Sequence, residues 1–177
     1  MITEERAYIS VRSLAITRVP IYGQIAGIVG TITLQNTGNT PTKNMTFHSS
    51  MNIFNGDIPA HFDFGDLDQR RPRQSFIAPK AWAGTFAFII SREELISTQT
   101  GRRIFIWGWA DYDDTFSGTP RHRTEFCYEV VVERHQSADA TEQWGFGNSQ
   151  YGRHNAADDE CYRRPAPYRP PRPPAAA

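Results

Sequence analysis

The chain has 177 residues, 19 Lys plus Arg against 19 Asp plus Glu, and a formal net charge of zero. That length suits one domain able to bury its own core without metals or several disulfides, and the charge balance excludes the clustered basic footprint of a nucleic-acid binder. No run approaches the roughly 20 apolar residues that cross a bilayer, and the opening Met-Ile-Thr-Glu-Glu-Arg lacks the basic-then-apolar order of a signal peptide. Charge is uneven along the chain: residues 162–177 hold Arg163, Arg164, Arg169 and Arg172 with no acid, so a mildly acidic body carries a basic tail.

Residues 7–18 place Ile9, Val11 and Leu14 in an imperfect alternation that predicts a first strand. Residues 24–35 put Ile28, Ile32 and Leu34 on even positions, hence on one face of a second strand. The stretch 36–41 (Asn-Thr-Gly-Asn-Thr-Pro) ends it with turn formers, and a third strand over 43–54 carries Met45, Phe47, Met51 and Phe54. From Asn55 to Arg73 the chain is polar and punctuated by Gly56, Pro59, Gly65 and Pro72, which predicts a long surface loop with at most a short edge strand. Phe86, Phe88 and Ile90 mark a strand over 84–90; Ser91 and Glu94 then match a capping box and start a short helix that ends before Gly101.

The strongest signal is a pair of long strands, 103–114 and 121–134, joined by a Gly/Pro turn. Ile104 and Ile106 face one way on the first, and Phe105, Trp107 and Trp109 the other, so this strand should be central and covered on both sides. On the second, Phe126, Tyr128, Val130 and Val132 share a face, opposite a more solvated face of Cys127, Glu129, Val131 and Glu133. The pattern predicts an all-β, immunoglobulin-like β-sandwich over residues 1–134 with one short helix, a small barrel being the alternative architecture. Residues 135–161 read as an irregular loop extension docked on that domain by Trp144, Phe146 and Tyr151. Residues 162–177, rich in Pro and Arg, read as a disordered tail.

Several stretches together resemble a family of uncharacterised proteobacterial proteins in which an N-terminal transmembrane helix carries an extracytoplasmic β-sandwich. They are Glu5-Arg-Ala-Tyr8, residues 34–42, Trp109-Ala-Asp-Tyr-Asp-Asp114, residues 119–128 with their aromatic-Cys-Tyr strand, and His154-Asn-Ala-Ala-Asp158. The resemblance spans residues 5–161 and implies a periplasmic or other extracytoplasmic domain of the bacterial envelope, anchored in the membrane in relatives. It implies no particular activity. The anchor helix is not in this chain, and a chain that starts at Met1 would be cytoplasmic.

Cys127 and Cys161 are the only cysteines. In an oxidising compartment they could pair and tie the extension to the last strand, with about 3–4 kcal/mol from the closed loop; the alternative is two reduced thiols. Calcium needs hard oxygen ligands in loops, which makes Asp63, Asp66, Asp68, Asp111, Asp113 and Asp114 candidate cation ligands, with Asp158, Asp159 and Glu160 as a third cluster. None fits an EF-hand, and solvated charges or ion pairs to neighbouring arginines are the simpler reading. A hydrolytic triad such as Ser50, His154 and Asp158 would have to assemble from distant segments, with no nucleophile elbow to mark the serine. Asp63-Phe-Gly65 is a chance match to a kinase motif, and Asn44-Met-Thr46 a sequon without meaning inside a strand. Pro170-Pro-Arg-Pro-Pro174 offers an extended ligand for a polyproline groove, although a plain linker is the default.

The expectation is therefore a non-enzymatic domain, without a cofactor or nucleic-acid partner, that binds or spaces other proteins. Its contact surface would be the 55–73 loop and the aromatics Trp144, Phe146 and Tyr151. A cation- or small-ligand-binding module using the loop aspartates is the second reading, and a hydrolase the third.

Overall fold

The computed structural model describes residues 6–21, 24–67, 72–136 and 142–168. Two antiparallel sheets share one apolar core. Strands β1 (Ile9–Ile21), β2 (Gln24–Asn36) and β5 (Trp82–Ser91) form the smaller sheet in the order β1-β2-β5. The larger sheet runs β4-β3-β6-β7-β8, built from β3 (Lys43–Asn55), β4 (Arg73–Ser75), β6 (Arg102–Asp113), β7 (His122–Gln136) and β8 (Glu142–Gln150). A two-residue strand, β9 (Ala156–Ala157), pairs with the start of β7.

The core collects the predicted alternating positions of both sheets. Ile9 and Leu14, with Ile28, Ile32, Leu34 and Ile90, pack from the smaller sheet against Met45, Phe47, Ile104, Ile106, Ala110, Phe126 and Val130 of the larger one. Two polar bonds fasten the layers where β1 begins: the Ile9 amide donates to the Tyr112 hydroxyl (3.3 Å) and the Thr124 hydroxyl to the Ile9 carbonyl (2.9 Å). Burial pushes the Tyr112 phenol up to about 12, so it stays a neutral linker at any physiological pH. The turn after β2 is organised by buried Asn36, whose side chain accepts from the Tyr8 and Gly38 amides and donates to the Thr40 and Ile77 carbonyls.

The capping box forms as predicted. Ser91 Oγ accepts from the Glu94 amide (3.2 Å), and the Glu94 carboxylate takes the Ser91 amide (2.7 Å). Helix α1 (Arg92–Ser97) follows, and a 3-10 turn over Thr98–Thr100 closes at Gly101 with φ +88°. Glycine, with no Cβ to clash, suits that left-handed geometry best.

Strand β6 is central, between β3 and β7, and buried on both faces from Ile104 to Tyr112. Three expectations fail. The 135–161 segment is not irregular throughout: β8 pairs residue by residue with β7 from Tyr128↔Gln150 to Gln136↔Glu142. Gly145 and Gly147 had masked it, since glycine lowers β-propensity and leaves only Trp144 and Phe146 to show the alternation. The more solvated face predicted for β7 fails at Cys127, which is buried as Arg123 and Glu125 before it on that face are, while Glu129 is half-buried and Val131 and Glu133 are exposed. The tail is docked at its start: the Tyr162, Arg163 and Ala166 amides donate to carboxylates of the larger sheet. The polyproline stretch 170–174 lies outside the described residues, as do Arg169 and Arg172.

Candidate functional site

Alternation along β6 and β7 sends every second residue away from the shared core. On the larger sheet that outward face carries Phe105, Trp107, Trp109 and Asp111 from β6, Arg123, Glu125 and Cys127 from β7, and His48 and Ser50 from β3. Two segments remote in sequence cover it. The loop after β3 lays Ile58, Phe62 and Phe64 over Phe105 and Trp107, and both indoles fasten it: Trp107 Nε1 donates to the Gly65 carbonyl (3.1 Å) and Trp109 Nε1 to Asp66 (2.9 Å). The second cover is the stretch 151–168. Asn155 meets the Cys127 amide (3.0 Å), and Tyr151 packs edge-on against Phe105 with centroids 5.0 Å apart.

Under these covers lies a buried charge network. Arg123 grips Asp111 with two bonds of 2.6 and 2.9 Å and lies over the Trp109 ring at 4.7 Å. Asp111 also accepts from the Ala166 amide (2.9 Å). Glu125 takes the Tyr162 and Arg163 amides (2.6 and 3.1 Å) and faces Arg123 (3.5 Å) and His154 (3.4 Å). The His154 ring stacks on Phe64 at 4.5 Å, nearly parallel, so the two covers touch each other. Burial holds His154 below the ordinary histidine range; Arg123 and Arg163 add to that, and Glu125 opposes it without winning.

His122 bridges the network to the hairpin tip. Its Nδ1 meets Asp158 at 3.0 Å and its Nε2 meets Asp114 at 3.2 Å, so the ring donates both protons as an imidazolium. The Asp158 bond raises its pKa above the usual histidine value against the effect of burial, with Asp114 helping. Burial works against both carboxylates. Asp158 is nonetheless held low by His122, the Arg123 amide and Arg6 (3.1 Å), and Asp114 by Thr119, the Phe116 amide and His122. Phe64, His154 and Asp158 all have left-handed backbone, with φ of 51°, 58° and 52°. Such geometry costs of order 1–3 kcal/mol per residue and persists only where the surroundings enforce it.

The predicted site residues fall into separate places. Cys127 and Cys161 are both free thiols. Cys161 Sγ reaches the Arg123 carbonyl (3.4 Å), four residues along β7 from Cys127 and thus roughly 13 Å away along the strand, so the expected disulfide does not form. Burial raises both thiols to about 12. The carboxylates proposed for calcium are spoken for: Asp63 by the Gly65 amide and Arg163, Asp66 by Trp109, Asp113 by Arg121 and Asn44, with Asp111 and Asp114 as above. Asp68 lies outside the described residues. Among the described residues no three His, Cys, Asp or Glu side chains converge as a metal site would require.

The triad does not assemble either, since His154 faces Glu125 and Asp158 faces His122. Ser50 has a different histidine, with its Oγ 3.3 Å from His48 Nε2, but the Asp66 carboxylate approaches the same nitrogen at 3.8 Å. A triad needs it on the opposite one. Ser50 is also buried, accepting from the Leu67 amide at 3.0 Å.

The aromatic contact surface is corrected at Trp144. Trp144 is 2% exposed and belongs to the shared core, while Phe146 and Tyr151 are half-buried. Sequence reasoning missed Arg123, Glu125, His122 and Asn155. The available signal was the four ionisable residues Arg121, His122, Arg123 and Glu125 at the start of a strand beside one with two apolar faces, where a charge can stay only if something pairs with it.

Apolar exposure lies elsewhere. On the outer face of the smaller sheet Trp82 is 58% and Ile89 70% exposed, with Arg12 over the Trp82 ring at 5.3 Å. No described helix is long and apolar enough to cross a membrane. The chain matches no protein-family model, no curated protein and no solved structure.

Proposed function

We propose that this chain is a non-enzymatic, immunoglobulin-like β-sandwich that binds or spaces other proteins at the bacterial envelope. The order β1-β2-β5 opposite β4-β3-β6-β7 follows the strand arrangement of that fold, with β8 added beside the last strand. The observation that carries the function is the outer face of the smaller sheet, where Trp82 and Ile89 stand exposed while the ionisable groups of the larger sheet's outward face are matched to one another. Trp82 with Arg12 over its ring is the residue pairing that binding hot spots favour, and Ile89 extends the exposed apolar face further along β5. Placement at the envelope follows the family resemblance and is tested with the same reagents.

A photo-cross-linking residue at Ile89 in the native host should give a discrete protein adduct in the envelope fraction, diminished by Trp82→Ala. Adducts only in the cytosolic fraction would refute the placement. Hydrolysis of a fluorogenic ester by the purified chain, abolished by Ser50→Ala, would overturn the non-enzymatic reading.

A further inference from the structure

We propose that the cleft between β1 and β8 is a docking slot for an extended peptide that ends in a free carboxylate. β1 is the terminal strand of the smaller sheet and β8 the terminal strand of the larger one on the same side of the core. Among the described residues neither has a strand neighbour on that side. They run past each other in opposite directions, held at two points: Asn148 Nδ2 donates to the Leu14 carbonyl (3.2 Å) and Arg18 to the Trp144 carbonyl (2.5 Å). Those bonds show that the Leu14 and Trp144 carbonyls point into the gap. By the two-residue period of a strand, the main-chain groups of Ile16 and Phe146 do so too. Between the strands is a cleft of about 580 Å³, with Leu14, Ile16 and Phe146 as its apolar lining and Thr17, Arg18 and Asn148 as its polar groups.

The chemistry of the slot selects its occupant. A strand edge with unpaired main-chain groups recruits another extended chain, and the half-buried Ile16 and Phe146 give alternate side chains of such a peptide an apolar seat. Arg18 is the one charged residue among the described lining residues, which include no acid. Its guanidinium lies over the Phe146 ring at 5.7 Å, so the described lining is cationic at the Arg18 end. A carboxylate beside Arg18 answers that field with charge-assisted bonds. The slot is separate from the Trp82 face and stands or falls without it.

The test is an amide-resolved NMR titration of the full chain with N-acetylated Ser-Val-Thr-Leu-Ser-Val-Thr-Leu, as the free acid and as the C-terminal amide. Saturable shifts should concentrate on residues 14–18 and 144–148. The amide and the variant Arg18→Glu should each bind about tenfold more weakly than the acid and the unaltered chain, and Arg18→Lys should keep most of the affinity because it keeps the charge. Equal affinity for acid and amide would overturn the proposal. So would shifts confined to the Trp82 and Ile89 face, which would leave the protein-binding reading intact, or no saturable shift at millimolar peptide. If Arg18→Glu proves unfolded, the acid and amide comparison on the unaltered chain still decides.

Discussion

Replacing Arg123 by methionine tests whether the covered face holds the C-terminal stretch in place by charge. The guanidinium is almost wholly buried, as is Asp111 beneath it. The substitution removes two short bonds to Asp111, the 3.5 Å approach to Glu125 and the contact over Trp109 at 4.7 Å, and it leaves two buried carboxylates whose only other partners among the described residues are amides of the docked tail and His154. Breaking a buried pair from one side costs roughly 3–5 kcal/mol, because the surviving charge stays uncompensated. For a chain of this size that lowers the melting temperature by about 10 °C. Urea unfolding followed by circular dichroism measures it directly. The double variant Arg123→Met with Asp111→Leu should recover half or more of the loss, since it replaces the pair by apolar volume. A single-variant cost under about 1 kcal/mol, or a double variant as unstable as the sum of its parts, would show that the pair is not a buried charge couple of this kind.

Five further outcomes are expected. In an NMR pH titration His154 should lose its proton at lower pH than His122, because burial depresses the first while Asp158 and Asp114 raise the second; the reverse order would refute the bridge. The stabilising bridge of His122 is complete below about 6.5 and lost as pH rises through its raised value, and the contributions of Asp158 and Asp114 are present above about 3.8 and lost as pH falls through their lowered values. His122→Gln should therefore flatten the alkaline decline of stability. Intact mass without reduction should show two thiols, and iodoacetamide should label neither quickly in the folded chain; a mass two hydrogens lighter would restore the disulfide. Gly108→Ala should destabilise by about 1–3 kcal/mol, since a Cβ there would strike the His48 carbonyl of β3 and the Phe126 ring, whereas Gly84→Ala, with open space around it, should be near neutral. Calcium should leave the melting temperature unchanged, and a saturable rise would return the loop aspartates to consideration.

Strands whose apolar residues alternate cleanly were readable from sequence, because one face of each packs into the core. Ile28, Ile32 and Leu34 announced β2, and the double apolar face of residues 104–109 announced the central place of β6. The helix was readable from Ser91 and Glu94, since a capping box is a local device. β8 was not, because a strand with two glycines shows itself only through its partner β7. The covered face escaped for a related reason. Asp111, Arg123 and Glu125 look like surface charges until residues 158–166, some 35 to 55 positions later, are laid over them, and no short window contains both halves of that match. The cysteines misled because a pair invites a bond, while their levels along β7 are fixed by a register that spacing does not reveal.

The cover over β6 has a consequence for synthesis. Phe105, Trp107 and Trp109 leave the ribosome roughly fifty residues before the stretch 151–168 that completes their shield. Until then the nascent sheet presents an aromatic strip protected only by the earlier 56–67 loop, whose Trp107 and Trp109 bonds can form as soon as β6 emerges. The loop can thus shield the strip first, and residues 151–168, made later, complete the cover over what would otherwise be exposed aromatic surface.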